Sequence, residues 1–272
     1  MPQPFKLAMA QMRVNGGAKA ANLAHALELI NEAVENGAEF VLLPECMDLG
    51  WTHPSALELA EPIPDGQTCQ ALSKSAKDHG VYLCAGLTER AGDQVYNAAI
   101  IIDQQGEVIL KHRKLNELEI GHAYYAQGDR LNVVETEFGT FGLMICADGF
   151  ANGTVLARSL CYMGADVILS PCAWARPAEH DNKEDPYGGV WRGCYIPVAR
   201  EYSTAIFGAS CVGWITGGPW KGRKYVGCSL AIGADGSELF QGPYGPEAEC
   251  ILYADVKPAP RPGRGTYWAK ES

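Results

Sequence analysis

The stretch Phe141-Gly-Leu-Met-Ile-Cys146, followed by Ala147-Asp-Gly-Phe150, decides the reading of this chain. Its apolar run reads as a buried strand, and it ends on a thiol where a Gly-containing turn begins. Downstream, Gly153 to Met163 reads as a helix and Asp166 to Ser170 as a strand. Pro186 to Glu201 reads as a helix that Pro197 should kink or end. Thr204 to Val212 is then a strand, Tyr225 to Gly233 and Ser237 to Phe240 a hairpin around Asp235-Gly236, and Glu249 to Val256 a last strand.

Upstream, Phe5 to Met12 alternates apolar residues as a strand does. Ala18 to Asn36 has apolar residues at helical spacing, with Gly37 as its stop. Phe40 to Leu43 is a short apolar strand ending in Pro44-Glu45. Gln67 to His79 is a helix capped by Gly80, and Val81 to Leu87 a strand. Tyr96 to Asp103 and Glu107 to Lys111 form a hairpin. Strand–helix units thus alternate with hairpins, which fits a layered α/β protein with mixed sheets. The first half (β-α-β-α-β-hairpin) resembles the second in order, so the expectation is two sheets in a sandwich covered by helices. No linker or charge block divides the chain. Residues 1–256 read as a single domain and residues 257–272 as a Pro- and Gly-rich C-terminal extension.

The 272 residues carry a net charge of −10, which lacks the basic footprint that nucleic acid or an anionic membrane requires. No stretch approaches the roughly 20 apolar residues of a membrane span, and the N-terminus lacks the apolar core of a signal peptide. The ten cysteines form no CxxC or other ligand-spaced pair, so no metal site is expected. With no export signal, the reading is of reduced thiols in a cytoplasmic protein.

Three charged or nucleophilic residues sit at strand ends. Buried strand Phe40-Val-Leu-Leu delivers Glu45 to its C-terminal edge, where α/β sites lie. Taken alone, such a glutamate simply meets solvent. Lys114 follows a hairpin strand within Leu110-Lys-His-Arg-Lys-Leu115; for Lys111, His112 and Arg113 the reading is a solvated basic face. Cys146, taken alone, reads as an inert core thiol, and the six histidines show no spacing that marks a Cys–His pair.

Taken together, these segments resemble the carbon–nitrogen hydrolase (nitrilase) superfamily. The matches include Leu7-Ala-Met-Ala-Gln11, Val41-Leu-Leu-Pro-Glu45, Tyr96-Asn-Ala98, Arg113-Lys114, Gly139-Thr-Phe-Gly142, Ile145-Cys-Ala-Asp148, Gly164-Ala-Asp-Val-Ile168 and Gly227-Cys-Ser229. The resemblance implies a four-layer α-β-β-α sandwich with two mixed sheets and a homodimer or larger homo-oligomer. It also implies catalytic roles for Glu45 as base, Lys114 as oxyanion stabiliser and Cys146 as nucleophile, with no metal or organic cofactor. A free thiol with pKa ~8.5 is mostly protonated at neutral pH, so a nearby base is useful. Each fixed oxyanion donor contributes ~3–4 kcal/mol in known cases.

The run after the thiol, Cys146-Ala-Asp-Gly-Phe-Ala-Asn-Gly-Thr154, lacks the Arg and the aromatic-Pro-Glu that many members carry. The Cys-Trp-Glu of nitrilases is also absent. The expected substrate is therefore a small linear amide, with an N-carbamoyl compound or a nitrile as the alternative. Many members place a further glutamate between the lysine and the Gly128-Asp129 turn; here Glu119 is the expected substrate-binding acid, with Glu117 as the other candidate. Trp174 follows a strand end and is the expected aromatic pocket residue. A catalytically weak member serving as a binding or scaffold protein is the rival reading.

Overall fold

The computed structural model describes residues 2–259. The extension expected over residues 257–272 lies, from residue 260 onward, outside the described residues. The first half runs β1 (Phe5–Gln11), α1 (Lys19–Glu35), β2 (Phe40–Leu42), a short α2 (Ala56–Leu59), α3 (Gln67–His79), β3 (Tyr82–Ala91), β4 (Gln94–Ile102) and β5 (Val108–Arg113). The second half runs β6 (Val133–Thr136), β7 (Gly139–Leu143), α4 (Val155–Tyr162), β8 (Val167–Cys172), β9 (Ala175–Arg176), α5 (Gly189–Tyr202) and β10 (Ala205–Ser210). It continues through β11 (Val212–Trp214), β12 (Lys224–Val226), β13 (Leu230–Ile232), β14 (Glu238–Gln241) and β15 (Cys250–Val256).

Two six-stranded sheets result, ordered β15-β1-β2-β3-β4-β5 and β6-β7-β8-β10-β13-β14. In both, the first pair is antiparallel, the next two parallel and the last two antiparallel. The two halves therefore repeat one unit, and β15 fills in the first sheet the edge position that β6 fills in the second. A small third sheet, β11-β12-β9, lies beside them.

Alternation along each strand builds the layers. Leu7, Met9, Phe40 and Leu42 from one sheet join Phe141, Leu143, Leu169 and Phe207 from the other in a single buried cluster. Phe40 and Phe141 stack across it with ring centroids 4.9 Å apart. The intervening residues face outward onto helices. Ala8, Ala10 and Val41 pack with Ile30 of α1 and Leu72 of α3. Ile168 and Ile206 pack with Leu160 of α4 and Val198 of α5. Both faces of the inner strands are covered, which is why those strands read as continuous apolar runs. The order of layers is α-β-β-α. No helix of the described residues is long and apolar enough to cross a membrane.

Several boundaries differ from the sequence reading. The run to Cys146 stops pairing at Leu143, and Cys146 instead opens a short 3-10 helix, Cys146–Phe150. The helix expected from Gly153 starts at Val155, because Gly153 and Thr154 both take positive φ, at 68° and 52°. Left-handed backbone at Gly227 and Cys228 splits the expected strand Tyr225 to Gly233 in two. Pro197 does not end α5. Its ring opposes the carbonyl of Gly193, and both residues lie on the exposed side, where the freed carbonyl is open to solvent. Strand β6 was not anticipated.

Candidate active site

Three chain crossings converge on one cavity of about 360 Å³ whose wall includes Glu45, Lys114 and Cys146. Glu45 follows β2, Lys114 follows β5, and Cys146 lies just beyond β7, so each side chain leaves the C-terminal end of a sheet strand. Close backbone approach sets Glu45: a Cβ on Gly86 of β3 would sit 2.5 Å from its Cα, so only glycine fits beside it. The Glu45 N–H donates to the Cys172 carbonyl of the opposite sheet at 3.3 Å, which joins the two sheets at the site.

The polar contacts form a closed set around Lys114. Its Nζ donates to Glu45 Oε1 at 2.7 Å and lies 3.1 Å from Glu117 Oε1. Asn97 Nδ2 donates to Glu45 Oε1 at 2.7 Å and to Glu117 Oε2 at 3.1 Å. Trp51 Nε1 donates to Glu117 Oε1 at 3.3 Å, and the Leu118 N–H to the same oxygen at 2.9 Å. All of these side chains are buried.

Burial raises the Glu45 carboxyl above its ordinary range, and the Glu117 charge adds to the rise while Lys114 opposes it. For Lys114, burial disfavours the charge, yet Glu45 and Glu117 outweigh it and hold the ammonium on. Burial, with the neighbouring Cys172 thiol and the Glu45 charge, pushes the Cys146 thiol well up. The resting site therefore holds a thiol beside a carboxylate of raised basicity and a fixed ammonium.

Cys146 takes φ 44°, in the left-handed region where a side chain costs roughly 1–3 kcal/mol. Asp148 locks that turn. Its Oδ2 accepts from the Ile145 N–H at 2.9 Å and contacts His112 Nε2 at 2.8 Å; its Oδ1 accepts from the Leu115 and Asn116 N–H groups at 3.1 and 2.7 Å. One carboxylate thus ties the cysteine turn to the segment that follows Lys114.

The structure locates both candidate acids and corrects one expectation. Glu119 is exposed on a short 3-10 helix and is absent from the cavity wall, whereas Glu117, three residues after Lys114, faces the ammonium. The Leu118 N–H bonded to Glu117 Oε1 turns that carboxylate inward. Nor is the run Lys111 to Arg113 a solvated face: His112 is buried against Asp148, and Lys111 and Arg113 both bind the buried Glu89 carboxylate. Trp174 is buried in the cavity wall and stacks on Trp191, with centroids 4.6 Å apart. Asn97, Asp148 and Arg176 were not singled out as site residues. The Tyr96-Asn-Ala98 match pointed at Asn97, but no sequence signal shows that one amide would bridge two carboxylates. Among the described residues, no group of three or more His, Cys, Asp or Glu side chains is arranged to hold a metal ion.

Comparison with known proteins shows the family. Residues 6–260 match the family model described as carbon–nitrogen hydrolase. A nitrilase of Pyrococcus abyssi is 36% identical over 176 residues, which cover 63% of this chain and 66% of that protein. The omega-amidase NIT2 of Xenopus tropicalis is 33% identical over 181 residues, covering 62% of this chain and 64% of its own length. The matches thus span just under two thirds of these relatives. Among solved structures, a carbon–nitrogen hydrolase from Helicobacter pylori G27 aligns with a TM-score of 0.81 at 22% identity, over 93% of this chain and 89% of that one. A mutant of the amidase from Nesterenkonia sp. AN1, bearing acrylamide added at its active-site cysteine, aligns with a TM-score of 0.77 at 19% identity over 93% of each chain. At these identities the structural likeness speaks for the fold alone.

Proposed function

This chain belongs to the carbon–nitrogen hydrolase family, and from that premise we propose that it hydrolyses the C–N bond of a small linear amide through a thioester on Cys146. The observation that carries the reading is the convergence of Cys146, Glu45 and Lys114 on one cavity. Glu45 takes the thiol proton as Sγ attacks the amide carbon. The C–N π-type conjugation is lost and the carbonyl electron pair moves onto oxygen. The Lys114 ammonium and the Ala147 N–H stabilise that oxyanion in a site where little water screens the charge. Collapse of the intermediate breaks the C–N bond, and Glu45 returns its proton to the departing nitrogen, releasing ammonia. Water then attacks the thioester, again with Glu45 as base, and a carboxylic acid leaves while the thiol is restored.

The raised basicity of Glu45 suits this work, because an ordinary carboxylate (pKa about 4.3) is a weak base toward a thiol. Glu117 serves as a positioning residue: with Glu45 it holds the Lys114 ammonium and keeps its charge. Amide chemistry is favoured over nitrile chemistry because Ala147 stands where nitrilases carry tryptophan.

Ammonia release from a panel of short amides, compared between the parent protein and Cys146→Ala, tests the reading. Turnover that disappears in the variant is expected. A panel with no turnover in either protein would favour a binding or scaffold role instead. Self-association belongs to the same proposal. Val155 and Tyr162 of α4 leave apolar side chains 51% and 52% exposed, and sedimentation equilibrium at a single-chain mass would contradict it.

A further inference from the structure

Behind the cysteine turn a second thiol stands against Cys146. Strands β7 and β8 run parallel, pairing Phe141 with Val167, Gly142 with Ile168 and Leu143 with Leu169. Carried three residues on, the same register sets Cys146 beside Cys172, the last residue of β8. The Met144 N–H still donates to the Leu169 carbonyl at 3.2 Å, so the two chains stay together past the last paired position. Neighbouring strands lie about 4.8 Å apart, inside the roughly 4.4–6.8 Å Cα separation that a disulfide spans. Both side chains join one apolar cluster with residues of α4 and α5, and the Cys172 thiol is within hydrogen-bonding reach of the Cys146 thiol.

The two sulfurs differ in what reaches them. Cys146 lines the cavity of about 360 Å³, while Cys172 is fully buried and absent from its wall. A small oxidant entering the cavity therefore meets Cys146 first. Cys172 Sγ is held 3.4 Å from Ser170 Oγ and 4.0 Å from Tyr195 Oη, and it donates to the Ser170 carbonyl at 3.2 Å. Cys46 and Cys211 are also close by, but their side chains belong to the cluster with α1 and α3. The Cys211 bond to Cys172 is backbone to backbone, N–H to carbonyl at 3.2 Å. Hydrolysis as drawn above uses one thiol and leaves Cys172 without a part.

We propose that Cys146 and Cys172 form a redox pair: a hydroperoxide oxidises Cys146, and Cys172 resolves the product into a reversible disulfide. In the first step Glu45 takes the Cys146 proton, and Sγ attacks the terminal oxygen of the hydroperoxide. The O–O bond breaks, its electron pair leaves with the second oxygen, and the proton from Glu45 completes that oxygen as water or an alcohol. Cys146 is left as a sulfenic acid. In the second step the Cys172 sulfur attacks Cys146 Sγ. An S–S bond forms, the S–O bond breaks, and hydroxide departs with the Cys172 proton as water. The two thiols together lose two electrons, and the peroxide gains them.

Burial opposes the Cys146 thiolate, and the Lys114 ammonium favours it, so the first step draws on the charges already in place. Condensation with Cys172 halts the climb to sulfinic and sulfonic acids, which thiols do not reverse. The disulfide withholds the nucleophile until a dithiol, entering through the cavity, attacks Cys146 Sγ and releases Cys172. The pair acts on its own sulfurs and stands whether or not an amide is the substrate.

Peptide mass spectrometry after hydrogen peroxide treatment tests the inference. The proteins are the parent, Cys172→Ala, Cys172→Ser and Cys211→Ala, with circular dichroism as the check on folding. Remaining thiols are blocked with iodoacetamide before any reduction. The parent and Cys211→Ala should yield a peptide pair joined from Cys146 to Cys172, lighter by two hydrogens than the separate thiol peptides. Dithiothreitol should return Cys146 in these proteins to a thiol that iodoacetamide labels. In Cys172→Ala and Cys172→Ser the share of Cys146 recovered this way should fall roughly tenfold after the same excess of peroxide, with sulfinic and sulfonic acids in its place. Cys172→Ser keeps the side-chain size and a donor for Ser170, so it carries the comparison if Cys172→Ala does not fold. A parent that reaches sulfinic acid with no linked peptide, a link from Cys146 to Cys211, or equal recovery in Cys172→Ser would overturn the inference. Ammonia release is not read, so failure of the hydrolase reading leaves this test intact.

Discussion

Replacing Asp148 with alanine should be among the most damaging single changes outside the catalytic set, and its cost can be built from its contacts. The carboxylate is fully buried and serves the Ile145, Leu115 and Asn116 N–H groups as well as His112 Nε2. Removing an acceptor strands each buried donor at about 1–3 kcal/mol. Partial relaxation and a trapped water would recover some of this, so the expected loss is about 4 kcal/mol. Asp148→Asn keeps one carbonyl acceptor and should lose about half as much. Urea denaturation read by tryptophan fluorescence measures both. The pH dependence supplies a second check. Burial raises the Asp148 carboxyl, but the contact with His112 and the backbone N–H bonds outweigh it, so the folded-state pKa is depressed. Its contribution is therefore present above the unfolded value, about 3.9, and lost as the pH falls through the lower folded value. Asp148→Ala should flatten the acid limb of the stability curve below about pH 4. A loss under about 1 kcal/mol with an unchanged acid limb would refute the reasoning.

Glu117→Gln removes one of the charges that raise Glu45, so the acid limb of the kcat/KM profile should move to lower pH while kcat falls about tenfold or more; an unmoved limb would show that Glu117 does not act on Glu45. Glu119→Ala, at an exposed position, should change stability by less than about 0.5 kcal/mol and turnover by less than about twofold, and a larger loss would return the second acid to Glu119. Glu89→Ala strands Lys111 and Arg113 beside a buried gap and should cost about 3 kcal/mol in denaturant unfolding, with wild-type stability as the contrary result.

The layered fold was legible because its cause is repetitive: inner strands covered on both faces read as apolar runs, and helices capped by residues such as Gly80 announce their ends. What escaped was set by single backbone conformations or by distant partners. The positive φ of Gly227 and Cys228 divides a run whose side chains continue to look strand-like. The edge strand Val133–Thr136 is only four residues long and carries a charged residue. At the site, Glu45, Lys114 and Cys146 were singled out through the order of their motifs, since each alone resembles an ordinary strand-end residue, and the fold brings all three to one cavity. Choosing Glu117 over Glu119 required knowing that the Leu118 N–H folds back onto the carboxylate. His112 looked solvated because its partner, Asp148, is 36 residues away and adjacent only in the fold.

The central claim is that Cys146 becomes acylated with loss of ammonia. Rapid quench of the protein with a short amide, followed by peptide mass spectrometry, tests it most directly. The account predicts an acyl mass on the Cys146 peptide that appears with ammonia and is absent in Cys146→Ala. Equal ammonia release from Cys146→Ala, or an acyl group on a different residue, would contradict it.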